Sequence, residues 1–198
     1  MTELKTGEIS LIDRAIGFAA KAHKGQTRKT DRELPYIAHP FGVAMILGQM
    51  GCSETVVAAG LLHDTVEDTG VTIEKIRSKF GDEVASIVAG CTEPAKNNNW
   101  EERKTHMIES LREASLEVKL VVAADKYHNL NLTLASSKTL GIDVWESFGR
   151  PEKQQAWYYR NVYESILANL PGSEEYAIFK QLGKVINELF DGVASSPP

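Results

Sequence analysis

The chain has 198 residues, 42% hydrophobic and 25% charged, with a formal net charge of −5 at pH 7, which fits one ordinary soluble domain with a substantial core. The negative balance argues against a general nucleic-acid binder, which needs a strongly basic face, but leaves room for a small anionic substrate. Two cysteines, Cys52 and Cys91, make no disulfide framework; no run approaches the ~18 apolar residues of a membrane span, and "MTELKTGEIS" lacks signal-peptide order, so a cytoplasmic protein is expected.

The elements read as helices almost throughout. "SLIDRAIGFAAKAH" opens on Ser10 as N-cap and carries Leu11, Ala15, Ile16 and Ala19 on one face. "HPFGVAMILGQM" follows, and then "SETVVAAGLLHDTVEDTG" predicts a single helix between Ser53 and Gly70. In "VTIEKIRSKFG", Thr72 caps, Val71 staples against Ile76, and Gly81 terminates. "DEVASIVAGCT", "WEERKTHMIESLREA", "SLEVKLVVAADKYHNLNLTLA", "EKQQAWYYRNVYESILANL" and "EEYAIFKQLGKVINELF" complete the series. Irregular segments are expected at 23–40 and 136–153. The prediction is an all-α, compact fold of about eight to ten helices, with residues 1–192 as one domain and 193–198 as a disordered tail.

The segment "GLLHDTVEDT" (60–69) raises a chemical question. One histidine and three carboxylates follow an apolar run at a helix C-terminus, where the macrodipole disfavours negative charge by roughly 0.3–1 kcal/mol per group. A divalent cation would offset that. His63 and Asp64 need partners from elsewhere; His39, ahead of Pro40, is a candidate second imidazole, and Asp125, after the small and aliphatic run "VVAA", a candidate further carboxylate. Such a set suits Mn²⁺, Fe²⁺ or Zn²⁺ better than Ca²⁺ or Mg²⁺. Glu67 and Asp68, one turn on, could take a proton from a water acidified by the ion. Nearby Arg and Lys residues would neutralise phosphoryl charge. Arg103 and Lys104 are candidates for substrate binding, although "WEERK" also reads as a salt-bridged helix surface. Each assignment has a plain rival: a surface ion pair at His63–Asp64, a helix cap at His39, or a structural pair of Asp125 with Lys126. His23, His106 and His128 read as structural.

Three segments in order, "YIAHP", "LLHDTVEDT" and "ADKYHNL", resemble the hydrolase domain of the RelA/SpoT family within the HD superfamily. The resemblance implies an all-helical HD-domain fold and a Mn²⁺-dependent hydrolase that removes the 3′-diphosphate of ppGpp and pppGpp through metal-bound hydroxide. It places the metal on His39, His63, Asp64 and Asp125, and the acidic pair at Glu67 and Asp68. It implies substrate contacts at Arg28, Lys29, Tyr36 and Asn129, the last near the ribose, with Lys153 as the candidate within the looser "KQQAWYYR" region. "RKTDRELPYI" departs from the family, whose long enzymes follow "RK" with a tight Ser-Gly turn. With no room for a synthetase domain, a dedicated hydrolase is expected, as a monomer or homodimer, acting on guanine alarmones or their ppApp-type adenine equivalents. Two alternatives share these residues: an HD-type phosphohydrolase of another nucleotide phosphoester, and a non-catalytic alarmone sensor.

Overall fold

The computed structural model describes residues 8–28, 31–94, 99–140 and 150–194. Among them are ten α-helices, one 3-10 turn at Ser173–Glu175 and no strand. The one β feature is an antiparallel bridge between Thr27 and Pro35. The all-α expectation therefore holds.

Helix α1 (Leu11–Ala22) starts where Ser10 accepts a bond from the Asp13 amide, and Ala15 and Ala19 form its buried face. After α2 (Ala38–Gln49), α3 (Glu54–Leu62) begins at the Ser53 cap and buries every residue from Val56 to Leu62. A helix apolar on all sides belongs in the centre of a bundle, and α3 packs against α1, α2, α8 (Leu116–Leu140) and α6 (Asp82–Cys91). Thr72 caps α5 (Ile73–Phe80), and Gly81, at φ 92°, turns the chain into α6. That left-handed angle carries little penalty only for glycine. Asn99 caps α7 (Trp100–Arg112); α9 (Glu152–Leu167) packs on α7, and α10 (Ala177–Leu189) on α8.

Two elements differ from expectation. The helix expected between Ser53 and Gly70 is interrupted: α3 stops at Leu62 and a single turn, α4 (Thr65–Asp68), follows. The hydroxyl of Thr65 donates to the Leu62 carbonyl at 2.7 Å, and Thr69 does the same to Thr65 at 2.5 Å. Such side-chain bonds compete with the backbone ladder. The second difference lies in 136–153, where α8 continues to Leu140. Lys138 Nζ reaches Glu188 of α10 at 2.5 Å and ties this last part of α8 to a neighbour. Residues 141–149, and the end of the expected tail at 195–198, lie outside the described residues.

Lys119, only 1% exposed, joins two helix ends. Its ammonium donates to the Ala168 carbonyl at 2.6 Å and to the Arg112 carbonyl at 3.2 Å, beside the C-termini of α9 and α7. Helix-end carbonyls have no backbone donor of their own. Lys119→Met should therefore cost about 2–3 kcal/mol, the scale of charged hydrogen bonds lost from a buried setting, read as a lower urea midpoint with an unchanged slope.

Candidate active site

The site forms where the end of α3 meets the starts of α2 and α4 and the middle of α8. His39 comes from the first turn of α2, His63 from the residue after α3, Asp64 from the residue before α4, and Asp125 from α8. His39 Nε2 lies 3.1 Å from Asp125 Oδ1 and 3.6 Å from Asp64 Oδ2. His63 Nε2 lies 3.1 Å from Asp64 Oδ1 and 3.9 Å from Asp125 Oδ1. Donor atoms of His39, His63 and Asp125 fall within 4.8 Å of one another. The structure thus brings together all four residues expected to hold a metal.

The donor set fits a divalent cation. The His63 Nδ1–H donates to the Gly60 carbonyl at 2.8 Å, which leaves the Nε2 lone pair facing the cluster. That buried Nε2 has no hydrogen-bond partner. Burial would lower the His63 imidazole, but the charges of Asp64, whose Oδ1 lies 3.1 Å from Nε2, and of Asp125 raise it to about 9. Burial likewise raises the two carboxyls, yet Asp64 is held down by His63 and His39, and Asp125 by Lys126, His39 and His63. Mixed imidazole and carboxylate donors are those that Mn²⁺, Fe²⁺ and Zn²⁺ accept.

The remaining expected residues divide into two flanks. On one, the Tyr36 hydroxyl lies 2.6 Å from Asp64 Oδ2 and 3.1 Å from Asp68 Oδ2. Burial first, and the Asp64 charge next, keep this phenol protonated, so it serves as a donor. Gln26 Nε2 donates to the Asp68 carbonyl at 2.8 Å. The 26–36 loop is closed by Arg28 N to Leu34 O at 3.0 Å and Tyr36 N to Gln26 O at 2.9 Å. It delivers the Arg28 guanidinium to Asn129 Oδ1 at 2.8 Å, while Asn129 Nδ2 donates to Asp125 Oδ1 at 2.7 Å. Arg28, Asn129, Tyr36 and Asp68 therefore adjoin the four-residue cluster. Lys29 lies outside the described residues. Lys153 is exposed in the first turn of α9, with no described hydrogen bond or ion pair joining it to the cluster.

The other flank contains Glu67 and a carboxylate that sequence reasoning missed, Glu93. A cavity of about 30 Å³ is lined there by His63, Asp64, Glu67, Glu93, Asp125 and Lys126, among others. That volume suits water rather than a nucleotide. Glu93 is buried, and its amide donates to Glu67 Oε2 at 3.4 Å. Its carboxylate meets Lys104 at 2.5 Å and Arg103 at 3.2 Å. Arg103 and Lys104, expected to touch substrate, are thus engaged by Glu93. Burial would raise the Glu93 carboxyl, but Lys104, Lys126 and Arg103 hold it below the ordinary value. Glu67 is raised, by burial first and then by the charges of Glu93 and Asp64. Lys126 bonds Asp125 Oδ2 at 2.7 Å while His39 Nε2 faces Oδ1, so the structural pair and the cluster coexist on one carboxylate. In the sequence Glu93 stands in "CTEPAK", which reads as a loop; the only signal was an acid directly after an apolar helix.

Residues 15–148 match the HD domain family. A Xenopus tropicalis protein named guanosine-3′,5′-bis(diphosphate) 3′-pyrophosphohydrolase MESH1 is 44% identical over 127 residues, 63% of this chain and 70% of that protein. The crystal structure of Listeria monocytogenes EGD-e lmo0812 superposes with TM-score 0.72 at 42% identity, covering 77% of this chain and 98% of that one. A metazoan ortholog of SpoT, described as hydrolysing ppGpp, gives TM-score 0.74 at 27% identity, covering 93% and 98%.

A ligand that binds only the folded chain stabilises it by mass action, about 2.7 kcal/mol at one hundred times its Kd. Adding Mn²⁺ to the metal-stripped protein should therefore raise Tm by several degrees. Asp125→Ala should abolish that rise, as read by differential scanning fluorimetry.

Proposed function

This chain belongs to the HD domain family, and we propose that it is a divalent-metal-dependent 3′-pyrophosphohydrolase of (p)ppGpp-type alarmones, with Mn²⁺ as the working ion. The observation that carries the reading is the convergence of His39, His63, Asp64 and Asp125 within a few ångströms, with Asp68 on one flank and Glu67 and Glu93 on the other. The names of relatives at 44% identity supply the substrate class.

When bound, the ion supplies Lewis acidity and lowers the pKa of water at the site. The residues of the chain do the rest. Glu67, raised above the ordinary glutamate range, is matched to accept a proton from the attacking water. Asp68, fixed by Tyr36 and by the Gln26 bond to its carbonyl, orients that water. The water oxygen joins the phosphorus attached to ribose O3′, the P–O3′ bond breaks, and O3′ departs as the ribose hydroxyl, taking up the proton that Glu67 had received. Pyrophosphate and a nucleoside 5′-di- or triphosphate are released. Arg28, beside Asn129, neutralises charge developing on phosphoryl oxygens, and Asn129 addresses the ribose.

Incubating metal-stripped protein with ppGpp and, separately, ppApp, with and without Mn²⁺, tests the reading. Metal-dependent pyrophosphate release is expected, and the rate ratio fixes the base preference. Orthophosphate release would favour a different phosphoester, and binding without turnover a sensor. Asp64→Ala should lose bound metal and activity together, whereas Glu67→Gln should retain metal and lose roughly 10²–10⁴-fold in turnover. The pH profile gives a further check. Glu67 acts as a base, so activity falls as pH drops through its raised pKa. Glu93→Gln removes a neighbouring negative charge that raises Glu67 and frees Lys104, whose charge favours ionised Glu67. The acid limb of kcat/KM should therefore move to lower pH in that variant.

A further inference from the structure

His128 lies three residues beyond Asp125 on α8, on the side that meets α2. Its Nδ1 is 3.0 Å from Nδ1 of His39, with the ring centroids 4.9 Å apart. Two ring nitrogens at that distance share one proton, one donating and the other accepting. If His39 offers the lone pair of Nε2 to a cation, its proton sits on Nδ1, and His128 Nδ1 is the acceptor. The opposite tautomer would direct an N–H at the ion.

A second observation comes from α2. Gly42 stands one turn after His39, and a Cβ there would lie 2.2 Å from His128 Nε2 and 2.7 Å from its Cδ2. Contacts that short do not occur between unbonded atoms, so the ring occupies space that only glycine leaves open. One helix thus both carries the ligand and seats the partner that orients it.

We propose that His128, seated against Gly42, is a positioning residue for the metal centre: it accepts the Nδ1 proton of His39 and fixes the tautomer and ring orientation in which His39 Nε2 faces the cation. The inference rests on His39 being a ligand, as in the function proposed above. It adds a residue that makes no contact with the ion and a glycine whose role is to admit it. Outer partners of ligating histidines characteristically change metal affinity by 10–100-fold when removed.

The test is Mn²⁺ affinity, measured by isothermal titration calorimetry on the metal-stripped full chain, with folding checked by circular dichroism. His128→Ala should weaken Mn²⁺ binding by about 10–100-fold. His128→Gln, which keeps an acceptor, should recover part of the loss. Gly42→Ala should displace the ring and weaken binding comparably, and the double variant should be no weaker than either single one, because both remove the same bond. Wild-type affinity in His128→Ala would overturn the inference while leaving the metal centre intact, as would losses that add fully in the double variant. A wild-type chain that binds no divalent cation would overturn the metal centre itself and this inference with it. If Gly42→Ala fails to fold, the comparison of His128→Ala with His128→Gln decides alone.

Discussion

The site depends on one electrostatic constraint: two carboxylates, Asp64 and Asp125, are held together among apolar helices. Removing an ionised carboxylate from water costs several kcal/mol unless opposite charge and hydrogen bonds meet it. The chain answers with Lys126 on one oxygen of Asp125 and with two imidazoles on the cluster side. The field that raises His63 to about 9 is also the field that attracts a divalent cation. Proton and cation therefore compete for the same lone pair. A site that must hold negative charge tightly enough to bind a metal becomes, without it, a site that binds protons.

Apolar packing sets the distances within that cluster. Because α3 is buried from Val56 to Leu62, its end is fixed between α2 and α8, and His63 and Asp64 emerge where His39 and Asp125 already point. The acidic pair then serves two separate environments. Asp68 joins the Tyr36–Gln26 side, and Glu67 faces the small cavity with Glu93. Residues 67 and 68 are about 100° apart around a helix, so adjacent acids reach opposite flanks of one centre. Glu93 in turn holds Lys104 and Arg103, and the charges of Lys104 and Lys126 moderate the repulsion between Glu67 and its acidic neighbours.

Much of this was legible in the sequence because its causes are local. Ser10, Ser53 and Thr72 are short polar residues just ahead of apolar periodicity, and each caps its helix as read. The His63–Asp64 pair stood out because charge after a wholly apolar run needs a reason. What was not legible depends on long-range geometry. The charges of Arg103 and Lys104 were visible, but their direction was set by Glu93, ten and eleven residues away across a segment with no regular period. His128 looked structural because its partner, His39, is 89 positions distant. The interruption at Leu62 escaped because no Gly or Pro stands between Ser53 and Gly70 except Gly60 within the apolar run, and the Thr65 and Thr69 hydroxyls, bonding backwards, mark the change.

That interruption explains why an ordinary helix end can present a ligand. The last carbonyls of a helix lack backbone donors, and here side chains provide them: His63 Nδ1 to Gly60 and Thr65 Oγ1 to Leu62. The bond that satisfies Gly60 also consumes the Nδ1 proton of His63, so Nε2 is the nitrogen that faces the cluster, open to a proton or to a cation. For His39, in the first turn of its helix, the carbonyl three residues back, Tyr36, accepts the His39 amide at 2.9 Å, and the ring finds its partner in His128. Both imidazoles thus have Nδ1 engaged and Nε2 directed inward, one through a local helix-end bond and the other through a neighbouring helix. Residues 63 and 64 retain right-handed helical angles, with φ −55° and −88°, and the Asp68 amide donates to the Asp64 carbonyl at 2.9 Å, so Asp68 keeps a helical offset from Asp64. Ligand and base thus sit on a single short segment of right-handed backbone.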